Sequence, residues 1–224
     1  DSLVASYVEA STGLEAALEN WIAVHPEIAV IITASVGNPK IGEKIQSQKV
    51  PVFNFAHSSV YPIKNKYATP ETVGIDRLIL ASGSALAYPG MNRLVIDAGT
   101  CITYDFTDLE NVYHGGAISP GLGLRYKSLN QFTARLPLLE KKVPDDFIGN
   151  STAESIHSGV VNGAVAEIDG FIDSYRKRYP NFIIILTGGD ALFLANRLKN
   201  TIFANPNFLL ESLNQTYQYV LNDQ

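Results

Sequence analysis

Residues 94–118 read Leu94-Val95-Ile96-Asp97-Ala98-Gly99-Thr100-Cys101-Ile102-Thr103-Tyr104-Asp105-Phe106-Thr107-Asp108-Leu109-Glu110-Asn111-Val112-Tyr113-His114-Gly115-Gly116-Ala117-Ile118. Three β-prone runs lie close together here, Leu94–Asp97, Ile102–Phe106 and Val112–Ile118, separated only by turn residues. Connections that short join antiparallel neighbours, so the segment is a meander. Towards the N-terminus the pattern changes to alternation. Leu3–Glu9 alternates like a strand, and Leu14, Leu18, Trp21 and Ile22 share a helix face after the Ser11-Thr12 cap signal. Ile28–Thr33 is a continuous β-branched run, Val36-Gly37-Asn38-Pro39 is a turn before a short helix to Gln46, and Val50–Phe55 is a further strand. Strand, helix, strand, helix, strand implies a parallel sheet.

Residues 57–73 read as irregular, and a helix follows over Ile75–Ala87, stopped by Pro89-Gly90. Beyond the meander the pattern predicts helices over 121–134 and 152–178 with a proline-containing loop, 137–151, between them. Strand Phe182–Thr187, helix Asp190–Leu198, strand Ile202–Ala204 and a final helix Asn207–Val220 complete the chain. A meander followed by alternation makes a second α/β unit beginning near Asn92. The first unit is the same kind of object with its opening hairpin removed. The expected organisation is two related α/β domains, 1–90 and 91–224, with ligands in the cleft between them and the final helix able to pack back on the first.

Of the 224 residues 46% are hydrophobic and 17% charged, which suits a globular protein with a real core. No apolar run approaches the ~18 residues of a membrane span, and no secretory signal is visible. The net charge of −5, with Lys and Arg scattered, argues against nucleic acid or an anionic membrane as partner. The single cysteine, Cys101, excludes an internal disulfide and any multi-thiolate metal site, and fits a reducing cytosol.

Five constellations carry possible chemistry. In Leu94–Thr103 an apolar strand delivers Asp97 to its end, Gly99 lets a bulky anion approach the backbone, and Thr100 adds a hydroxyl. Asp97 can hold a cation that neutralises phosphate charge; the alternative is an ordinary Asp-Gly turn. In Gly74-Ile75-Asp76-Arg77, Asp76 could accept the proton of a hydroxyl attacking phosphorus, and Arg77 could clamp a carboxylate. The alternative there is a helix-dipole aspartate beside a solvated arginine. His114-Gly115-Gly116-Ala117-Ile118-Ser119-Pro120-Gly121 signals tight backbone packing or a passing ligand, with no second His or Cys at metal spacing. Thr187-Gly188-Gly189-Asp190 runs from a strand into a helix and could seat an adenosine or ribose, or be a common turn. Ile148-Gly149-Asn150-Ser151-Thr152 opens helix 152–178, where Ser151 or Thr152 can serve as cap. Along that helix Ile156, Val160, Val161, Ala164, Ile168, Phe171 and Ile172 form an apolar surface, and Gly159 and Gly163 permit close approach of another helix: a dimer interface or a core helix.

In this order, GIDR, LVIDAGTCITYD, GGAISPG, LP, IGNST and TGGD resemble the pattern of type III pantothenate kinases, from about Ala29 to the end. The resemblance implies phosphorylation of pantothenate to 4′-phosphopantothenate with ATP, the first step of coenzyme A synthesis. It implies the actin-like, ribonuclease H-like fold of sugar kinases and Hsp70-type ATPases. By the same resemblance Asp76 is the proton acceptor for pantothenate's primary hydroxyl, and Gly74, Ile75, Asp76 and Arg77 contact pantothenate, with Arg77 facing its carboxylate. Tyr67 matches a substrate tyrosine, and Thr152 a substrate-contacting threonine that reaches the neighbouring subunit's site. Asp97 matches the ligand of a monovalent cation, K+ or NH4+, and Gly99 and Thr100 match ATP contacts. The family's dimeric, cytoplasmic, Mg2+-dependent character is implied with them.

One departure stands out. The family opens with a strand ending in an Asp-x-Gly-Asn-Thr loop that holds the ATP phosphates, and none occurs before residue 29. The expectation is that roughly 15–25 residues, one β-hairpin, are missing ahead of Asp1, and that a chain lacking them is a poor catalyst. Two other readings compete: a kinase of the same superfamily acting on another small substrate, and a non-catalytic accessory or regulatory protein of the same fold. The retention of Asp76, Asp97 and Thr100 speaks against the second.

Overall fold

The computed structural model describes residues 14–35, 50–179 and 181–222. The strand expected at Leu3–Glu9, the Ser11-Thr12 cap and the turn and helix between Val36 and Gln46 lie outside those residues.

Helix α1 (Leu14–Val24) precedes β1 (Ile31–Ala34) and β2 (Val52–Phe55), which pair in parallel as a two-stranded sheet. The stretch read as irregular contains a short strand, β3 (Lys64–Asn65), and a single 3-10 turn at Pro70–Thr72. Helix α2 (Ile75–Ala87) has the expected bounds. The meander follows as β4 (Asn92–Ala98), β5 (Cys101–Thr107) and β6 (Val112–Pro120), antiparallel at both joints. Then come α3 (Leu122–Gln131), α4 (Thr152–His157), a π-helical turn at Ser158–Asn162, and α5 (Gly163–Arg178), so one helical rod spans 152–178 as expected. Strand β7 (Phe182–Thr187), helix α6 (Ala191–Ala195), β8 (Phe203–Ala204) and helix α7 (Phe208–Asn222) complete the order. Helix α6 stops three residues earlier than its sequence pattern, at the Asn196 cap.

The larger sheet has strand order β3-β6-β5-β4-β7-β8, with β7 parallel to β4 and β3 parallel to β6. Strand periodicity divides its two faces. Leu94, Ile96 and Ala98 of β4, Ile102, Tyr104 and Phe106 of β5, and Ile184 and Leu186 of β7 face the 152–178 rod, packing on Ile156, Val160, Ala164, Ile168 and Ile172. Ile168 and Ile172 are fully buried, and each such side chain contributes roughly 1.5–3 kcal/mol. The alternate residues face the other way, where Val95 and Ile185 meet Leu80 of α2 and Phe208 of α7. A third cluster joins Phe55, Ile75, Leu78, Ile79, Tyr113 and Val220, so the small sheet, α2 and α7 pack together. Gly83 lets α7 approach: a Cβ there would stand 2.7 Å from the Ser212 Cα.

This parity positions the chemistry. Asp97 and Asp105 are out of step with the rod-facing residues, so both carboxylates emerge on the face that carries α2. Arg93, on that face and fully buried, donates from Nη1 to the Tyr88 carbonyl at 2.8 Å and from Nη2 to Asn111 Oδ1 at 2.9 Å, tying the start of β4 to the β5–β6 turn.

Candidate active site

Asp76 occupies the first turn of α2, where Gly74 is the N-cap and supplies no side-chain cap. Its Oδ1 accepts a 2.8 Å hydrogen bond from the Arg77 amide. Burial raises its carboxyl above the usual carboxylate range, and the charge of Asp105 pushes the same way against the Arg77 amide and guanidinium. Asp97, next to last in β4, is in register with Thr103 of β5 and Thr187 of β7. Its carboxyl is pushed up to about 6, first by burial and then by Asp76 and Asp105. Three carboxylates therefore sense one another, and a single guanidinium pairs with one of them.

Among the described residues no hydrogen bond reaches the Asp97 carboxylate. A partly buried carboxylate without donors, between two others, suits a cation, which would offset its desolvation. No group of three or more His, Cys, Asp or Glu among the described residues is arranged as a metal cage. The residues present thus offer one carboxylate to a weakly held cation and, among those described, no protein cage for a divalent ion.

The backbone around Asp97 is shaped by glycine. Gly188 has φ +92°, and a Cβ there would run into Asp97 Oδ1 and stand 2.6 Å from the Ala98 carbonyl oxygen. Gly99, in the β4–β5 turn, differs: the nearest atom to its Cβ would be Asp97 Oδ1 at 3.9 Å, so a methyl group there would make only ordinary van der Waals contact. Thr100 beside it is exposed, and its carbonyl accepts from the Gly121 amide at 3.0 Å. Asp190 donates its amide to the Ala98 carbonyl at 2.9 Å, which closes the Gly188-Gly189 turn against β4, and its carboxylate pairs with Lys141.

The sequence leaves Arg77 as either a substrate clamp or a solvated helix residue. It is 5% exposed and ion-paired with Asp105, with Nε at 2.8 Å and Nη2 at 2.7 Å from Oδ1. Solvation is therefore ruled out. Tyr113 donates its hydroxyl to the same oxygen at 2.6 Å and Thr103 donates to Oδ2 at 3.0 Å. Tyr67 lies beside them: its ring stacks on Tyr113 with centroids 6.3 Å apart and the Arg77 guanidinium stands 5.7 Å from its centroid. Gly115 explains how Tyr67 fits, since at φ +82° its Cβ would stand 2.7 Å from that ring.

The other expected residues are more scattered. Ile75 is buried in the core with Phe55 and Leu78, so its side chain is taken up by packing. Thr152 is exposed at the start of α4 and lines an open groove of about 910 Å³ with Arg125, Ser128, Leu136, Asn150 and Ser155; none of Asp76, Arg77 or Asp97 lines it. Ser151 is the cap, accepting from the Glu154 amide at 3.2 Å. A Cβ added at Gly159 or at Gly163 would meet no atom within 4 Å, so no described element of this chain packs there. His114 pairs with Asp108 at 2.7 Å. The residues missed from the sequence are Asp105 and Tyr113; a lone carboxylate between Tyr104 and Phe106 in an otherwise apolar strand was the available signal.

Among the described residues no helix is long and apolar enough to cross a membrane. A solved Campylobacter jejuni chain, described as a conserved Baf family transcriptional activator, superposes with a TM-score of 0.62 at 22% identity, covering 90% of this chain and 89% of that one. That likeness concerns the fold alone. The type III pantothenate kinase of Flavobacterium johnsoniae is 57% identical over 99% of this chain and 91% of its own length. That of Flavobacterium psychrophilum is 54% identical over 90% and 84%. The family model for type III pantothenate kinase matches residues 6–174, a span that holds Asp76, Asp97, Asp105 and Thr152, and with these relatives it makes the chain a member of the type III pantothenate kinase family.

Proposed function

We propose that the cleft bounded by Asp76, Asp97 and Arg77 is where this chain phosphorylates pantothenate with ATP, the opening step of coenzyme A biosynthesis. The reaction class follows from family membership; the assignment of residues is our reading. The observation that carries it is Asp76: a carboxylate at a helix N-terminus, raised by burial, on the sheet face where Asp97 emerges.

Asp76 accepts the proton of pantothenate's primary hydroxyl as that oxygen bonds to the γ-phosphorus and ADP departs. A raised carboxyl is the better base for a hydroxyl near neutral pH. Gly74, Ile75 and Arg77 line the pantothenate side, the first two through backbone, Arg77 and Tyr67 through side chains directed at the carboxylate end. Gly99 and Thr100 line the ATP side, where the missing Cβ leaves room for phosphate. Asp97 would hold a monovalent cation, K+ or NH4+, and Mg2+ would arrive with ATP; together they neutralise charge on the phosphates. The fold is read as two actin-like units, 1–90 and 91–224, meeting at this cleft.

We read the working form as a cytoplasmic homodimer in which Thr152 of one copy contacts the pantothenate of the other. The exposed Thr152 groove and the uncovered Gly159 and Gly163 support it. The test is pantothenate-dependent ADP formation with and without potassium. Potassium-stimulated 4′-phosphopantothenate is expected from protein that includes the Asp-x-Gly-Asn-Thr phosphate loop; no product from such protein, folded, with or without potassium, would overturn the assignment.

A further inference from the structure

Asp105 has no place in the chemistry above, yet it is a nearly fully buried carboxylate that accepts three side-chain hydrogen bonds. It is 1% exposed, in the middle of β5. Oδ1 receives Arg77 Nε, Arg77 Nη2 and the Tyr113 hydroxyl, and Oδ2 receives Thr103. A buried ion pair of this kind is weak evidence for stability, because desolvation offsets most of the attraction and apolar residues of similar volume fold as well. Nor does it help attract an anion, since its charge cancels that of Arg77. What three hydrogen bonds and an ion pair on one carboxylate do supply is direction.

The guanidinium is held along one edge by Asp105 and stands over Tyr67, whose ring is fixed by Tyr113 behind it and Gly115 beside it. Nε donates to Asp105, and Nη2 is buried at ion-pair distance from the same oxygen. A guanidinium engaged along one edge keeps its other edge for an incoming carboxylate. Arg77 cannot reach for it, because Asp105 fixes its orientation in advance.

We propose that Asp105 is a positioning residue, which locks the Arg77 guanidinium in the orientation that receives the carboxylate of the substrate. The inference rests on the reading that Arg77 meets that carboxylate. Asp105 touches no substrate itself; Tyr113 and Thr103 serve it in turn, and Tyr67 is the lateral wall.

The test is a double-mutant cycle on KM, run with pantothenate and with its neutral carboxamide. Arg77→Met should raise KM for pantothenate roughly ten- to a hundred-fold, the range of a lost charge-assisted hydrogen bond. Asp105→Asn should raise it about ten-fold, leave kcat within about three-fold, and add less than about two-fold in the Arg77→Met background. With the carboxamide, Asp105→Asn should leave KM unchanged. An Asp105 effect that persists in the Arg77→Met background, or that is equal for both substrates, overturns the proposal while leaving the Arg77 contact standing. Unchanged KM in Arg77→Met itself would remove that contact, and the proposal with it. Should Asp105→Asn fail to fold, Tyr113→Phe removes one donor and keeps the ring stack. It should raise KM about three-fold for pantothenate only; an equal rise for the carboxamide, or no rise at all, overturns the proposal.

Discussion

Gly188 and Gly99 flank Asp97 in the structure, and replacing each by alanine should give opposite results. At Gly188 an alanine meets two obstacles. Its φ of +92° is a conformation that L-residues reach at a cost of roughly 1–2 kcal/mol. Its Cβ would also run into the Asp97 carboxylate and stand 2.6 Å from the Ala98 carbonyl oxygen. That oxygen is backbone, fixed by the Asp190 amide and the β4 ladder, so it cannot swing aside. Forced shifts of this kind cost a further ~1–3 kcal/mol. The sum, about 2–5 kcal/mol, corresponds to a fall in Tm of roughly 5–15 °C for a chain of this size. At Gly99 nothing stands nearer than 3.9 Å, so alanine there should leave Tm within about 2 °C. The new methyl group instead faces the space assigned to phosphate and should raise KM for ATP. Differential scanning calorimetry of both variants, with KM for ATP measured alongside, reads both effects. A Gly188→Ala protein with wild-type Tm, or a Gly99→Ala protein that melts early, would refute the steric reasoning.

Other substitutions test the electrostatics and the packing. The Asp97 carboxyl is raised to about 6 from an ordinary 3.8, so its ionised form is penalised in the folded state. The sign follows: the penalty is absent below about pH 4, grows as pH rises through about 6, and is complete above it. In potassium-free buffer at pH 8, Asp97→Asn should therefore be more stable than wild type by roughly 1–3 kcal/mol, with no such gain near pH 4; thermal melts at the two pH values check it. Asp76 is raised as well and must be ionised to accept a proton. The acidic limb of kcat/KM should accordingly lie above the ordinary carboxylate range in a pH–rate profile. Ser212, whose buried hydroxyl has no partner among the described residues, should tolerate alanine within about 1 kcal/mol, whereas Gly83→Ala, facing the same serine across the α2–α7 contact, should destabilise by roughly 2–4 kcal/mol in chemical denaturation.

Local patterns in the chain announced the parts of this fold that depend on local rules. The turn residues between Asp97 and Ile102 and between Phe106 and Val112 leave no room for a crossover, which dictates the meander. The apolar spacing of Ile75–Ala87 and of 152–178 dictates both helices. The strand parity of Asp97 and Asp105 is equally readable, but its consequence is not. Which helix covers which sheet face depends on contacts between distant segments, here α2 and α7. Arg77 is the clearest case. Its position next to Asp76 suggests a solvent-facing or substrate-facing side chain, and its real partner, Asp105, comes 28 residues later on another element. The helix expected to run to Leu198 ends at Ala195 for a similar reason: Asn196 and Arg197 form a turn, and Asp169 of α5 binds the segment after it through the Lys199 amide and the Asn200 side chain. A propensity pattern cannot register a partner that arrives from elsewhere in the chain.

The assignment of Asp76 as the proton acceptor is tested most directly by the Asp76→Asn protein. Its rate of 4′-phosphopantothenate formation from pantothenate and ATP should be measured by mass spectrometry, and pantothenate binding by calorimetry on the same preparation. Turnover should fall by roughly 10²–10⁴-fold while the affinity for pantothenate stays within a few-fold of wild type. Wild-type turnover in the asparagine variant would contradict the role given to Asp76 and, with it, the reading of this cleft as the catalytic site.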